Sequence, residues 1–219
     1  MFSTLTNAPL APLLDRLFEQ AGQVSDPAMA GIPRAERERL MRSKTEYLDF
    51  YSRAKELWLP VSRETGVLLY QLARSTNARD IVEFGTSFGI STLYLAAALR
   101  DNGGGRLIGS EFEPSKVAKA RQHLIEGGVG DLVEIREGDA LKTLAADLPE
   151  SIDLLLLDGA KSIYCEVLDL VESRLRPGAL IVADNADYSP EYLARVRAPE
   201  NGYLSVPFGE DVELSIRLG

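Results

Sequence analysis

The sequence predicts an α/β protein: a mostly parallel seven-stranded sheet with an antiparallel hairpin at its C-terminal edge and a helical extension before it. Three observations predict it. From Asp80 onward, short apolar runs alternate with stretches of helical spacing, the rhythm of parallel strands joined by helical crossovers. The runs at 152–157 and 180–183 are almost wholly apolar, as central strands covered on both faces must be. Only Gly209-Glu210 separates the last two strand candidates, which is hairpin spacing.

The first 78 residues read as helical and as a cap on the sheet. Leu10, Leu13, Leu14, Leu17 and Phe18 recur at helical spacing. Segment 22–33 carries Pro27, Gly31 and Pro33 and reads as a loop. A charged helix is predicted over 35–57 and is stopped by Pro60. Another begins after Ser62, whose hydroxyl is suited to accept a free first-turn N–H; its apolar face is read as Val67, Leu68, Leu72 and Ala73. Strands are then predicted over 80–84, 106–111, 132–136, 153–158, 179–184, 203–208 and 211–218. The intervening helices fall over 90–99, 114–125, 141–148, 163–175 and 190–197. Pro114 opens one helix and Gly127-Gly128 closes it, the usual asymmetry of helix ends. With no internal repeat, 1–219 reads as one domain, a helical cap over 1–78 and an α/β core over 79–219.

Composition narrows the function classes. A net charge of −9 argues against nucleic acid as a partner, because phosphate binding needs clustered cations. The densest basic stretch, 34–42, is broken by Glu36 and Glu38 and reads as a solvated helix face. Cys165 is the only cysteine, which excludes an intrachain disulfide; inside an amphipathic helix it reads as a small buried hydrophobe. No basic-then-apolar leader and no run of membrane-spanning length is found, so a cytoplasmic protein without a membrane partner is expected.

Residues 80–91, Asp-Ile-Val-Glu-Phe-Gly-Thr-Ser-Phe-Gly-Ile-Ser, carry the most information. An apolar strand ends in Glu83, and a glycine turn then opens a helix, which delivers backbone N–H groups and a carboxylate to a nucleotide-like ligand. Ser87 stands where a dinucleotide fingerprint requires its middle glycine, so a nicotinamide reading is disfavoured and a ligand without phosphates suits the loop better. A buried Glu83 favours a cationic ligand such as a sulfonium or its ammonium. Glu111 ends the next strand, where an acid can accept two ribose hydroxyls, and Gly138-Asp139-Ala140 follows the third, well placed for an adenine edge.

On these residues the segment from about 62 to 218 resembles the class I S-adenosylmethionine-dependent O-methyltransferases, in particular the small metal-dependent group of catechol and caffeoyl-CoA O-methyltransferases. The resemblance rests on Val-Glu83-Phe-Gly85-Thr-Ser-Phe-Gly-Ile-Ser91-Thr, Ser-Glu111-Phe-Glu-Pro and Glu-Gly-Asp139-Ala140-Leu. More specific are Leu-Leu-Asp158-Gly-Ala-Lys161-Ser-Ile-Tyr164 and Arg-Pro-Gly-Ala-Leu-Ile-Val-Ala-Asp184-Asn185. It implies a Rossmann-like methyltransferase fold and S-adenosylmethionine as cofactor. Glu83, Gly85, Thr86 and Ser91 would border its methionine part, with the Val61 backbone and Asp158 nearby. Glu111 would hold the ribose; Asp139 and Ala140 would border the adenine.

Asp158, Asp184 and Asn185 offer hard oxygen ligands with no histidine or thiolate, a set that suits Mg²⁺, with Mn²⁺ or Ca²⁺ possible, over Zn²⁺. Lys161 is three residues past Asp158; near a divalent cation its pKa falls, which fits it to take a hydroxyl proton. The resemblance assigns the same roles: Asp158, Asp184 and Asn185 as metal ligands, and Lys161 with Asp158 as the catalytic pair. Strand-end Asp and Asn also serve as helix caps, and that plainer reading stands beside the metal one. The expected partner is a small hydroxyl-bearing acceptor with vicinal hydroxyls; a sugar hydroxyl, amine or carboxylate methylated without metal is the alternative. Asp187 and Glu213 are further acidic candidates on the acceptor side, and Trp58, Tyr164, Tyr188 and Tyr192 its candidate aromatics. The exposed edge of the C-terminal hairpin and the helical extension point to a homodimer.

Overall fold

A computed structural model describes residues 3–23, 31–209 and 211–219. Its strands are β1 (Asp80–Phe84), β2 (Arg106–Glu111), β3 (Val133–Glu137), β4 (Ile152–Leu157), β5 (Leu175–Ala183), β6 (Tyr203–Phe208) and β7 (Val212–Arg217). They form one sheet in the order β3-β2-β1-β4-β5-β7-β6. The first five pair in parallel, and β7 runs antiparallel to both β5 and β6. The predicted sheet and its C-terminal edge hairpin are therefore present, although Glu210 of the turn lies outside the described residues.

The helices are α1 (Leu10–Gln23), α2 (Arg34–Met41), α3 (Tyr47–Arg53), α4 (Arg63–Ser75), α5 (Ile90–Asp101), α6 (Pro114–Glu126), α7 (Ala140–Thr143), α8 (Tyr164–Val171) and α9 (Pro190–Val196). Alternation along the strands sorts the core. Val82, Leu155, Leu157 and Ile181 pack with Tyr164, Val167 and Tyr192 of α8 and α9 on one face. Ile81, Leu154, Leu156 and Val182 pack with Leu69, Ala73, Leu95 and Leu99 of α4 and α5 on the other. The α1 residues Leu10, Leu13, Leu14 and Leu17 are buried against Leu93, Val117 and Leu124, as their spacing predicts. No helix among the described residues is long and apolar enough to cross a membrane.

Several boundaries differ from expectation. The helix predicted over 35–57 is two, α2 and α3, because the Ser43 hydroxyl accepts the N–H groups of Thr45 and Glu46 and stops the first. Ser62 does cap α4, accepting the Thr65 N–H at 3.0 Å. The buried face of α4 is rotated from the predicted one: Thr65, Gly66, Leu69 and Ala73 are inside, whereas Val67 is 41% exposed. Glycine decides this, since a Cβ on residue 66 would stand 2.5 Å from the Tyr94 ring of α5. The helices predicted over 141–148 and 163–175 are shorter, the second ending in a 3₁₀ turn over Glu172–Arg174. Most of the predicted 22–33 loop lies outside the described residues.

Candidate active site

β1 and β4 are neighbours, yet the chain leaves β1 toward β2 on the other side, so the sheet changes winding direction between them and a crevice opens above their tips. Gly85 turns the chain there at φ +99°, and a Cβ in its place would sit 2.5 Å from the carbonyl oxygen of Asp158. Only glycine lets the loop lie this close to the tip of β4. Gly89 then enters α5 with φ 86°, leaving the first-turn N–H groups of that helix beside the crevice.

Three cavities meet at Asp158. The first is lined by Tyr47, Tyr51, Gly85, Glu111, Lys116, Asp139 and Ala140 among others, an aromatic and acidic lining whose chemistry suits a nucleoside. Glu111 accepts the N–H of Ser87 at 2.8 Å and of Glu113 at 2.9 Å. Burial pushes its carboxyl above the usual range, against the pull of those N–H groups and of Lys116. Asp139 caps α7 by accepting the Leu141 N–H at 3.1 Å and also receives the Tyr47 hydroxyl at 3.1 Å.

The second cavity is lined by Trp58, Val61, Gly85, Thr86, Ser91 and Asp158 among others. Trp58 stacks on Phe88 of the glycine loop, ring centres 4.2 Å apart and planes 10° from parallel. Glu83 is not on the wall. It is fully buried one layer behind, where its oxygens accept the hydroxyls of Thr86, Ser91 and Thr92 at 3.0, 2.7 and 2.6 Å. Burial still raises its pKa in spite of the three donors.

The third cavity opens between the cap and the strand tips and joins Asp158, Lys161, Asp184 and Asn185, as the sequence predicts. Lys161 is 4% exposed and donates to Asp158 Oδ1 at 2.7 Å. Burial alone would lower its pKa, but Asp158, Tyr164, Tyr51 and Asp184 together hold it well above the ordinary lysine range. Asp184 is pushed up to about 7 by burial first and then by Asp158 and Asp211, with Lys161 opposing. The cavity wall sets Asp158, Asp184 and Asp211 against Lys161 and Arg37.

Asp211 also lines this cavity and escaped the sequence reading. The acid singled out in the final strand, Glu213, is elsewhere: it takes Arg197 at 2.8 and 2.7 Å and Ser205 at 2.6 Å, a structural role. Asp187 is exposed and lines none of the three cavities. Tyr164 and Tyr192 are core residues, the former donating to the backbone oxygens of Leu157 and Asp184 at 2.8 Å each. The cavity's apolar wall comes instead from the cap, through Met41, Phe50, Tyr51, Ala54 and Leu57.

Similarity to known proteins agrees with this geometry. A methyltransferase domain family matches residues 82–186. The catechol O-methyltransferase of Niastella koreensis is 37% identical over 130 residues, 58% of this chain and 58% of that protein. Catechol O-methyltransferase B of Danio rerio is 33% identical over 174 residues, 76% of this chain and 65% of that one. The solved O-methyltransferase TomG of Streptomyces achromogenes, involved in tomaymycin synthesis and in complex with S-adenosylmethionine, has a TM-score of 0.67 at 26% identity, over 88% of this chain and 94% of that one. Over residues 82–186 the chain matches a methyltransferase domain, and along most of its length it is similar to O-methyltransferases. It spans less than two thirds of the length of these two curated relatives.

The sequence resembles a metal-dependent group, and the donor set bears on that expectation. Asp158, Asp184 and Asn185 supply hard oxygens to one cavity, a donor set that fits a divalent cation. Among the described residues no three His, Cys, Asp or Glu side chains stand close enough to hold an ion by themselves. A cation here would rely on the Asn185 amide and on water or acceptor oxygens, the pattern Mg²⁺ tolerates.

Proposed function

We propose that the protein transfers the methyl group of S-adenosylmethionine to a hydroxyl of a small molecule with neighbouring hydroxyls, a catechol or similar vicinal diol, with Mg²⁺ or a like cation held by Asp158, Asp184 and Asn185. The observation that carries this reading is the convergence of three cavities on Asp158. A ligand in the first two can thereby place its reactive centre beside an acceptor in the third.

Glu111 would receive the ribose hydroxyls, Asp139 and Ala140 the adenine edge, and Val61, Gly85, Thr86 and Ser91 the methionine portion. Glu83 contributes a buried negative charge behind that wall. The cation, when bound, supplies Lewis acidity that makes an acceptor hydroxyl easier to deprotonate. Lys161, held as the ammonium by Asp158, would first lose a proton to solvent once the cation shares Asp158's charge, and the neutral amine would then take the hydroxyl proton. The acceptor oxygen then bonds the methyl carbon as the carbon–sulfur bond breaks, its electrons leaving a neutral thioether. Alignment by the cavity walls supplies much of the rate.

One observation favours a second reading. Lys161 already neutralises Asp158 at 2.7 Å, so a metal-free site acting on a sugar hydroxyl, amine or carboxylate is chemically coherent. Calorimetric titration of Mg²⁺ into protein saturated with S-adenosylmethionine separates the two. Heat in the wild type that vanishes in Asp184→Ala supports the metal reading; none in either leaves the metal-free one.

The edge strand β6 exposes Leu204 and Val206, each 54% exposed, and Phe208, 41% exposed, at alternate positions of one face. Such an apolar edge suits pairing with a second copy, which supports a homodimer.

A further inference from the structure

Asn185 occupies the tip of β5 in the left-handed conformation, φ 46° and ψ 44°, directly after Asp184. An amide side chain has a donating end and an accepting end, and only the oxygen end can serve a cation. Asn185 Nδ2 donates to Asp211 Oδ2 at 2.9 Å. An ionised carboxylate accepts and never donates, so Asp211 selects the NH₂ end of the amide and leaves Oδ1 as the end free for other partners. A second tie holds the same turn, since the Asp211 backbone oxygen accepts the Ala186 N–H at 2.9 Å. Both residues line the acceptor cavity with Asp158 and Asp184.

We infer that Asp211 is a positioning residue: by binding the Asn185 NH₂ group it fixes the amide so that its oxygen completes the cation site, while remaining outside the ligand set itself. This rests on the metal reading of the site. It also explains how a left-handed asparagine, which the backbone alone would not orient, is made into a reliable oxygen donor. Hydrogen-bond partners behind metal ligands commonly carry an effect of this kind.

The test measures Mg²⁺ affinity by calorimetry in protein saturated with S-adenosylmethionine, for the wild type, Asp211→Ala, Asn185→Ala and the double variant, with S-adenosylmethionine affinity measured alongside. Asp211→Ala is expected to weaken Mg²⁺ about 10–100-fold and to leave S-adenosylmethionine within about twofold, which a general loss of structure would not do. In the Asn185→Ala background the same change should add little, because the two residues act as one unit. Asp211→Asn, whose amide oxygen can still accept from Asn185, should retain part of the affinity and serves if the alanine variant does not fold. Unchanged Mg²⁺ affinity in Asp211→Ala overturns the inference, as does an equal loss with and without Asn185, which would make Asp211 a ligand in its own right. A wild type that binds no Mg²⁺ removes the metal reading and this inference together, an outcome distinct from a wild type that binds and a variant that binds equally well.

Discussion

Glu83 sits with its oxygens engaged by three hydroxyls and no cation, and burial raises its pKa. The sign of the consequence follows from linkage. An acid whose folded pKa lies above its unfolded value binds more protons when folded, so stability falls as pH rises from about 4.5 through the raised value. Thermal melts across pH should show that slope in the wild type and its reduction in Glu83→Gln. A sulfonium ligand reverses the preference: its affinity should increase as pH rises through the same window and fall about 10-fold or more in Glu83→Gln, where a charge-assisted contribution is lost. Affinity that is flat with pH in both proteins would refute the charge role. At Gly85 the prediction is steric. Gly85→Ala places a Cβ 2.5 Å from the Asp158 carbonyl at φ +99°, which should cost more than the roughly 1–3 kcal/mol of backbone strain alone, read by urea unfolding. The acids at the strand tips were legible in the sequence because each closes an apolar run, a local signal. Asp211 was not, since it precedes β7 and its partner Asn185 is 26 positions away. Glu213, on the strand itself, offered the same chemistry but faces Arg197 and Ser205.

Elements rather than residues decide where the cap places its side chains. Ser62 caps α4 and is next in sequence to Val61, which walls the second cavity. Ser62→Ala should lower stability by about 1 kcal/mol, near 2–4 °C in melting temperature for a chain of this size. The same variant should weaken S-adenosylmethionine binding if the cap holds Val61 in place; unchanged affinity would limit Ser62 to stability. The number of strands and the antiparallel edge could be read from alternation and turn spacing, which are short-range signals, whereas the strand order could not. The break between α2 and α3 could not, nor could the apolar wall of Met41, Phe50 and Tyr51. That wall is set by contacts such as Ser162 Oγ to the Ser43 carbonyl, 119 positions apart at 3.0 Å. The rotated face of α4 shows the same limit: Gly66 looks neutral in a helical pattern, and only the Tyr94 ring behind it makes that position the buried one.

Across the whole molecule, two features bear on association. The acidic strand tips concentrate part of the net charge of −9 where the proposed cation would sit. The apolar stripe on β6 is the feature that favours self-association. Replacing Val206 with lysine should convert a species of twice 24.0 kDa into one of 24.0 kDa in sedimentation velocity, and a wild type that already sediments as 24.0 kDa refutes the dimer. The stripe was legible as an edge hairpin, but its identity as an outward apolar face depends on β7 lying between β6 and the rest of the sheet.

The stacking of Trp58 on Phe88 has one more consequence, because the chain holds no other tryptophan. Light absorbed by the indole band comes from a single ring that touches the glycine loop. Its emission therefore reports on that loop alone, without background from the core. S-adenosylmethionine held beside Thr86 and Ser91, as proposed, would change the surroundings of this ring, so that binding can be titrated by the protein's own fluorescence, unlabelled.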